Sequence, residues 1–308
     1  MSKQFKRLST VFAKSFGLSA EQLEASFRLA TIEEVQTVSS MRRRVFGCSI
    51  KDDDERYLKW RYYSHPGFSS TLWVFEYRGE VIGAMGTEPV ELLNCGGHQS
   101  AIRGMDAIVE TEFDNRGLGA WMVLALQEHY SCILVCGGNA NSMSMLKKLF
   151  VALPIQQRYK MIFRSNAYLK HKMSPVIAGM LTPIVNILLT IYHSLKWRQL
   201  SKPEGVEIRS VGHIDELIKL LPEAPGILGT VKVHRSGEYL AWRYRDNPRA
   251  EFLVKGAFKQ GQLLGFVIYS YCPAVETGGM NLGQIVEWDI FSSAASVEIL
   301  SALYLKVV

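Results

Sequence analysis

The sequence predicts an α/β protein in which helices flank a mixed sheet, and it predicts that this domain occurs twice in tandem. The segment Y-L-K-W-R-Y-Y-S-H-P at 57–66 returns as Y-L-A-W-R-Y-R-D-N-P at 239–248, an offset of 182 positions. Strand-like apolar runs and helical patterns follow in the same order in both halves. The 308 residues also correspond to about two domains at roughly 150 residues each.

The offset of 182 matches three further blocks, which is why we interpret the chain as a tandem duplication. The blocks are I-E-E-V at 32–35 with I-D-E-L at 214–217, G-E-V-I-G at 79–83 with G-Q-L-L-G at 261–265, and, after a slip of one residue, M-D-A-I at 105–108 with W-D-I-F at 288–291. Four blocks in the same order are hard to reach by chance.

Each copy predicts the element order β-α-α-β-β-β-α. A short strand (26–29, 206–208) precedes a helix that starts at the I-acidic-acidic block, and a second helix carries W-R-Y. An alternating hairpin with a glycine turn (72–85, 252–269), a third long strand (102–109, 284–290) and a last helix (118–130, 294–307) follow. Strands equivalent to 133–136 and 159–163 of the first copy are missing from the second. Two alternatives stay open: the sequence is truncated, or the second copy is degenerate or incomplete.

The expected domains are a basic amphipathic segment at 1–25, a first domain at 26–165, an apolar helical linker at 166–204 and a degenerate domain at 205–308. The N-terminal segment could lie on an anionic membrane, although a helix docked on its own protein is the commoner outcome. Residues 173–195 contain no charge and are flanked by Lys170, Lys172, Lys196 and Arg198. Three alternatives stay open for them: a membrane span, a membrane-surface or re-entrant segment, and a buried helical linker between the domains.

Composition excludes disordered and collagen-like classes, because 48% of the residues are hydrophobic and 21% are charged. A net charge of +6 attracts anions without choosing among nucleotides, membranes and nucleic acids. No nucleic-acid recognition motif occurs, so no such partner is expected. Five scattered cysteines indicate a reducing, cytoplasmic setting, and no His or Cys spacing predicts a metal site.

The segment E-T-E-F-D-N-R-G-L-G-A at 110–120 joins the strand ending at 109 to the helix starting near 118. Unpaired amides and the positive end of a helix dipole at such a turn bind phosphate or pyrophosphate. An ordinary helix-entry turn is the alternative. The spacing matches neither the dinucleotide fingerprint nor the P-loop.

In its strand-turn-helix context this segment resembles the acyl-CoA motif [QR]-x-x-G-x-[GA] of the GNAT acyltransferase superfamily, and the element order is similar to that fold as well. The resemblance implies acetyl-CoA or another acyl-CoA as co-substrate. Asp114 replaces the usual Gln or Arg at the first position. The implied cofactor contacts are Ala107, Ile108 and Val109 beside the pantetheine arm, the turn residues Asp114, Asn115, Arg116, Gly117, Leu118, Gly119 and Ala120, and Asn139, for which a helix cap is the alternative.

The resemblance implies direct attack of an amine on the thioester, which requires a base. Asp106 is the first candidate, because a carboxylate on a central strand beside the thioester would be desolvated, and Glu110 is the second. The counterpart of Asp106 in the second copy, Asp289, favours a structural role for Asp106. A tyrosine that many GNAT enzymes use to protonate the thiolate is absent from 139–150, where Leu146 stands near its place.

The sequence therefore predicts an acyl-CoA-dependent N-acyltransferase, with acetyl favoured as the acyl group, acting on a small-molecule amine in a ternary complex. Two other hypotheses remain: an inactive GNAT-fold binding or scaffold protein, and Fem-type aminoacyl transfer, against which the absence of a basic coiled-coil arm argues. The repeated W-R-Y is interpreted as aromatic packing rather than as a ligand platform. The oligomeric state stays open, as does a membrane-surface contact through 173–195.

Overall fold

The computed structural model describes residues 3–47, 54–94, 97–113, 116–135, 138, 140–152, 162, 164–198, 203–222, 231–272, 282–291 and 296–307. The chain forms two compact units. The first unit comprises Met1–Leu153 and Gly229–Arg249, and the second comprises Pro154–Leu228 and Ala250–Val308. The expected strand at 159–163 lies almost wholly outside the described residues.

The first unit is a mixed sheet with helices, as predicted. Its strands follow the order β1-β2-β3-β4-β5, with β7 also paired to β3; β4 and β5 are parallel and the other pairs antiparallel. The elements are α1 (Lys3–Phe16), α2 (Ala20–Ala25), β1 (Phe27–Leu29), α3 (Val35–Phe46), α4 (Glu55–Tyr63), β2 (Leu72–Tyr77), β3 (Glu80–Asn94), β4 (Gly97–Val109), α5 (Leu118–His129), β5 (Ile133–Val135) and α6 (Ala140–Leu149), with β7 (Lys232–Val233) and α10 (Gly237–Leu240) from the later segment.

The second unit has an antiparallel sheet in the order β10-β9-β8-β6. Its elements are α7 (Asn166–Lys172), α8 (Pro175–Arg198), β6 (Glu207–Ser210), α9 (Ile214–Leu220), β8 (Leu253–Lys259), β9 (Gln262–Cys272), β10 (Leu282–Ile290) and α11 (Ser296–Val307).

Local details of the two sheets repeat at the predicted offset. The β2–β3 hairpin turns at Arg78 and Gly79, with φ of 55° and 81°, and the β8–β9 hairpin turns at Gln260 and Gly261, with φ of 52° and 82°. Two consecutive residues with positive φ form the two-residue turn that matches the twist of antiparallel strands. These correspondences support the duplication, which stays an interpretation.

Helix α1 docks on the first unit rather than lying free. Phe5, Ser9, Ala13 and Phe16 recur at helical spacing and are buried. The Trp121 Nε1 donates a hydrogen bond to Ser9 Oγ at 3.2 Å, which ties α1 to α5. Residues 1–25 thus belong to the first unit instead of forming a separate segment.

The W-R-Y segment of the second copy also belongs to the first unit, which differs from the expected boundary at 205. Trp60 Nε1 donates to the Trp242 carbonyl at 2.9 Å, and Trp242 Nε1 donates to the Trp60 carbonyl at 3.2 Å. Their rings stack with centroids 5.4 Å apart. The repeated tryptophans therefore bind each other, and their packing role is confirmed.

The apolar linker is helical, as α7 and α8, but it is not buried. Pro175–Leu195 is a helix long and apolar enough to cross a membrane, and only 6% of its apolar stretch is buried. The interpretation of 173–195 as a buried linker is wrong for this structure. Its side chains are sorted by polarity, as described below.

Candidate functional site

The N-terminus of α5 offers unpaired amides to an anion. Gly117 caps the helix in the left-handed region, with φ of 78° and ψ of 7°, and no side chain of the described residues caps it. The first intrahelical bond runs from the Trp121 amide to the Gly117 carbonyl at 3.0 Å, so the amides of Leu118, Gly119 and Ala120 have no helical acceptor. The helix dipole adds positive potential at the same place.

The two glycines of this turn have different roles. A Cβ at Gly117 would lie 2.4 Å from Phe12 Cε1, so the protein itself requires glycine there. A Cβ at Gly119 would meet only Val109 Cγ2, at 3.9 Å, which is ordinary contact. The openness at Gly119 is therefore not required by packing, and it leaves space above the amides for a ligand.

Two of the predicted turn residues, Asp114 and Asn115, lie outside the described residues, as does Asn139. Arg116 is exposed, and its guanidinium carbon lies 5.1 Å from the centroid of the Phe113 ring. It can reach an anion at the α5 N-terminus without first breaking an ion pair in the described part of the chain.

Strand β4 carries a bulge immediately before this turn. Ala84 pairs with Ile108 and Gly86 with Met105, so Asp106 and Ala107 oppose a single residue of β3. Asp106 has a φ of 53°, which is unusual for a residue other than glycine. Bulges of this kind bend a strand and redirect a side chain.

In the part of the chain that the structure describes, the edge of β4 that faces β5 is unpaired beside the bulge. The β4–β5 pairing covers Ile102 to Gly104, and no strand in the described residues pairs with that edge from 105 to 109. Ala107 is exposed there, Val109 is half-buried and Ile108 points into the core. An unpaired strand edge offers amides and carbonyls to an extended ligand.

Asp106 is exposed, so the desolvation expected for it is not observed. The Tyr62 hydroxyl donates to Asp106 Oδ2 at 2.7 Å. Burial, and the charge of Asp106 next, raise the pKa of Tyr62 well above its ordinary value. Tyr62 is therefore a neutral donor that holds the carboxylate, while Asp106 Oδ1 has no partner among the described residues.

Glu110 is less available than expected. Its side chain is only 13% exposed and accepts a hydrogen bond from Arg44 Nε at 3.0 Å. Its amide donates to the Ile82 carbonyl at 2.9 Å. Glu110 thus joins the end of α3 to the end of β4, which is a structural role.

A buried ionic cluster that the sequence did not reveal surrounds Glu88 of β3, near the bulge of β4. Glu88 is 1% exposed. It bonds Arg103 and Arg243 at 3.0 and 2.8 Å and the Tyr239 hydroxyl at 3.0 Å, with Arg61 at 3.7 Å. Burial alone would raise the pKa of Glu88, but the three guanidiniums outweigh it and hold this pKa below the usual value. No spacing rule finds partners this far apart in sequence.

One group of side chains could hold a metal ion, although the sequence predicted none. Ligand atoms of Glu91, His98 and His234 lie within 4.8 Å of one another. The two Nδ1 atoms lie 2.9 and 2.7 Å from the Glu91 carboxylate, and the hydrogen bond from His234 is the main reason that the pKa of Glu91 is lowered. The group lies at the opposite end of the β3–β4 hairpin from Asp106, so it takes no part in this site.

Comparison with known proteins gives a consistent fold but no close relative. No family model matches the sequence, and no curated protein matches it. Among solved structures, GCN5-related N-acetyltransferases from Anabaena variabilis and Kribbella flavida each give a TM-score of 0.51, at 11% and 14% identity, over 91% and 90% of this chain. A probable N-acyltransferase from Enterococcus faecalis, described as a conserved protein of unknown function, gives 0.53 at 12% identity over 92%.

The chain spans about three fifths of the length of these structures, matching 61%, 60% and 63% of them. At such low identity the likeness concerns the fold alone. The mixed sheet, the strand order and the strand-turn-helix at 105–120 agree with that likeness. The chain therefore has the fold of the GCN5-related N-acetyltransferases.

Proposed function

We propose that the protein is an acyl-CoA-dependent N-acyltransferase whose first unit binds the cofactor. The observation that carries this proposal is the continuity of the open β4 edge with the uncapped N-terminus of α5. One extended ligand with a pyrophosphate and an amide-containing arm, such as CoA, fits both surfaces at once.

Two parts of CoA, the pyrophosphate and the pantetheine arm, would have partners in this arrangement. The amides of Leu118, Gly119 and Ala120 would hold the pyrophosphate, and exposed Arg116 would add a positive charge. The backbone of 107–109 would pair with the two amide groups of the pantetheine arm. The thioester would then lie near the β4 bulge, where Asp106 projects.

The chemistry in this geometry is direct transfer. The amine nitrogen attacks the thioester carbon, the new N–C bond forms, and the C–S bond breaks. Asp106 Oδ1 takes the proton that the amine loses, while Tyr62 fixes the carboxylate through Oδ2. The departing thiolate takes a proton from solvent, because α6 contains no tyrosine.

The acyl group is proposed to be acetyl and the acceptor a small amine. The choice of acetyl is supported by the likeness in fold to structures described as N-acetyltransferases. The acceptor class is proposed from the chemistry of the reaction. The alternative of an inactive GNAT-fold protein is favoured by one observation: Glu110 is tied to Arg44 and Asp106 to Tyr62, so neither candidate base is fully free.

Asp106→Asn is expected to lower kcat by about 100-fold or more, as loss of a general base does, while the Kd for acetyl-CoA changes less than about threefold. Isothermal titration with acetyl-CoA gives the Kd, and a thiol-release assay with a panel of small amines gives the rate. Asp289→Asn, at the corresponding position of the second copy, is the matched control and should leave both unchanged.

Acetyl-CoA binding without thiol release for any amine would support the inactive alternative. Binding of neither acetyl-CoA nor longer acyl-CoA would remove the proposal, and aminoacyl-tRNA would be the next ligand to test. Full activity in Asp106→Asn would exclude Asp106 as the base and leave the cofactor site standing.

A further inference from the structure

Helix α8 sorts its side chains in the reverse of the usual order. Two of its polar residues face its own unit: Asn186 Oδ1 accepts hydrogen bonds from the Ser165 amide and hydroxyl at 2.8 and 2.9 Å, and His193 Nε2 lies 2.9 Å from the Ile162 carbonyl. The Thr182 hydroxyl donates to the Ala178 carbonyl, one turn earlier in the helix, at 2.7 Å. Asn186 and His193, which weaken a membrane assignment from sequence, thus bond within their own unit.

The outer face of α8 is mainly apolar from Val176 to Leu195. Residues Val176, Ile177, Met180, Leu181, Ile184, Ile187, Leu188, Ile191, Tyr192 and Leu195 are all exposed. The helix has no acidic or basic residue from 175 to 195 other than His193. Contiguous apolar surface of this extent marks a site of interaction with a protein or a membrane.

The segment that packs against the inner face is strongly basic. Helix α7 contacts α8, and its Leu169 is buried. The chain just before α7 contacts α8 through buried Ser165. The exposed positions of this segment include Arg164, Lys170 and Lys172. Basic residues therefore lie on the segment that packs against α8. Two more, Lys196 and Arg198, follow the apolar stretch in sequence.

This distribution of basic residues discriminates between α8 as a membrane span and α8 as a helix that lies in the membrane interface. If α8 spanned the bilayer, Arg164 would lie at membrane depth, which is costly, because its neighbour Ser165 bonds Asn186 near the middle of the apolar stretch. Lys170 and Lys172, which directly precede α8, would stay near the end of the helix. If α8 lies in the plane of the interface, its apolar face enters the acyl chains while those cations stay at the level of the headgroups.

We infer that α7 and α8 form an interfacial anchor that lies flat on a bilayer containing anionic lipids. The apolar face of α8 supplies the insertion and the basic residues around it supply the attraction to phosphate groups. This inference is independent of the proposed transferase activity, since it rests on the second unit alone.

Flotation of the full chain with vesicles tests the anchor. Vesicles of phosphatidylcholine with about 30 mol% phosphatidylglycerol should carry the protein to the top of a gradient, and pure phosphatidylcholine vesicles should carry clearly less. The double variant Ile184→Glu/Leu188→Glu should lose vesicle binding by at least about tenfold, because it places two charges on the inserted face. Both positions are more than half exposed, at 57% and 59%, so the fold is not disturbed.

The matched control is Val11→Glu/Val151→Glu, which adds the same two charges at exposed apolar positions of the first unit and should bind as the wild type does. Lys170→Glu/Lys172→Glu should reduce the preference for anionic vesicles while keeping residual binding through the apolar face.

Three results would overturn the inference. The first is failure of the wild-type chain to float. The second is resistance to alkaline carbonate extraction together with protection of 175–195 from protease on both faces of sealed vesicles, which would indicate a span. The third is a vesicle-free dimer that Ile184→Glu/Leu188→Glu dissociates, with no change in flotation, which would assign the face to a second copy of the chain.

Discussion

Gly119→Glu is expected to weaken acetyl-CoA binding by about 100-fold or more while leaving the protein at least as stable as the wild type. The new carboxylate would occupy the space above the α5 amides and repel the pyrophosphate. The packing tolerates a side chain there, since a Cβ would meet only Val109 at 3.9 Å. Replacing a glycine in the first turn by an acidic residue stabilises a helix by about 0.5–1.5 kcal/mol.

Because Gly119→Glu should lower affinity without lowering stability, a loss of binding cannot be attributed to unfolding. Affinity is measured by titration with acetyl-CoA and stability by urea unfolding of the same preparations. Gly119→Ala should retain stability and lose less affinity. Gly117→Ala should lower the free energy of unfolding by about 1–3 kcal/mol, because its φ of 78° disfavours a side chain and Phe12 fills the space. An unchanged Kd in Gly119→Glu would place the cofactor elsewhere.

Glu88→Gln is expected to lower the free energy of unfolding of the first unit by about 3–5 kcal/mol. The substitution keeps the shape of the side chain but removes the only carboxylate that Arg61, Arg103 and Arg243 share within the described residues. Buried guanidiniums without an anion are costly. Urea unfolding followed by tryptophan fluorescence measures the loss.

Glu76→Gln is the matched control. Glu76 bonds Arg28 at 2.7 Å, but its side chain is 40% exposed. The loss of unfolding free energy should therefore stay below about 1 kcal/mol. A loss of similar size in both variants would contradict the role assigned to the buried cluster.

Acid should act through the same residue. Because the pKa of Glu88 is lower in the folded protein than the ordinary 4.5, its contribution to stability is complete above that pH. The contribution is lost as the pH falls toward the folded-state pKa. The wild type should therefore lose stability more steeply below about pH 4.5 than Glu88→Gln does.

Local patterns predicted the elements of the sheet well. Alternating apolar residues around Gly79 and Gly261 gave the two hairpins, and the strand-turn-helix at 105–120 gave the candidate site, because each of these signals lies within a few neighbouring residues. Long-range partners could not be predicted in this way. Tyr62 and Asp106, or Glu88 and Arg243, meet only after the strands pair.

Burial was predicted least well, because hydrophobicity alone does not say which side of a helix is covered. Residues 173–195 contain few polar positions, and a sequence pattern cannot show that Asn186 and His193 bond the chain at 162–165. Likewise, the central position of Asp106 in the sheet predicted desolvation, but the bulge turns it outward.

The reciprocal bonds between Trp60 and Trp242 have a consequence for the order in which the chain folds during synthesis. The first unit includes the distal segment Gly229–Arg249. The ribosome must translate about a whole domain's length of chain between Trp60 and this segment. Until that segment leaves the ribosome, the Trp60 indole lacks the Trp242 carbonyl and the Glu88 carboxylate lacks Arg243. The first unit can therefore complete its packing only after this distal sequence has been made.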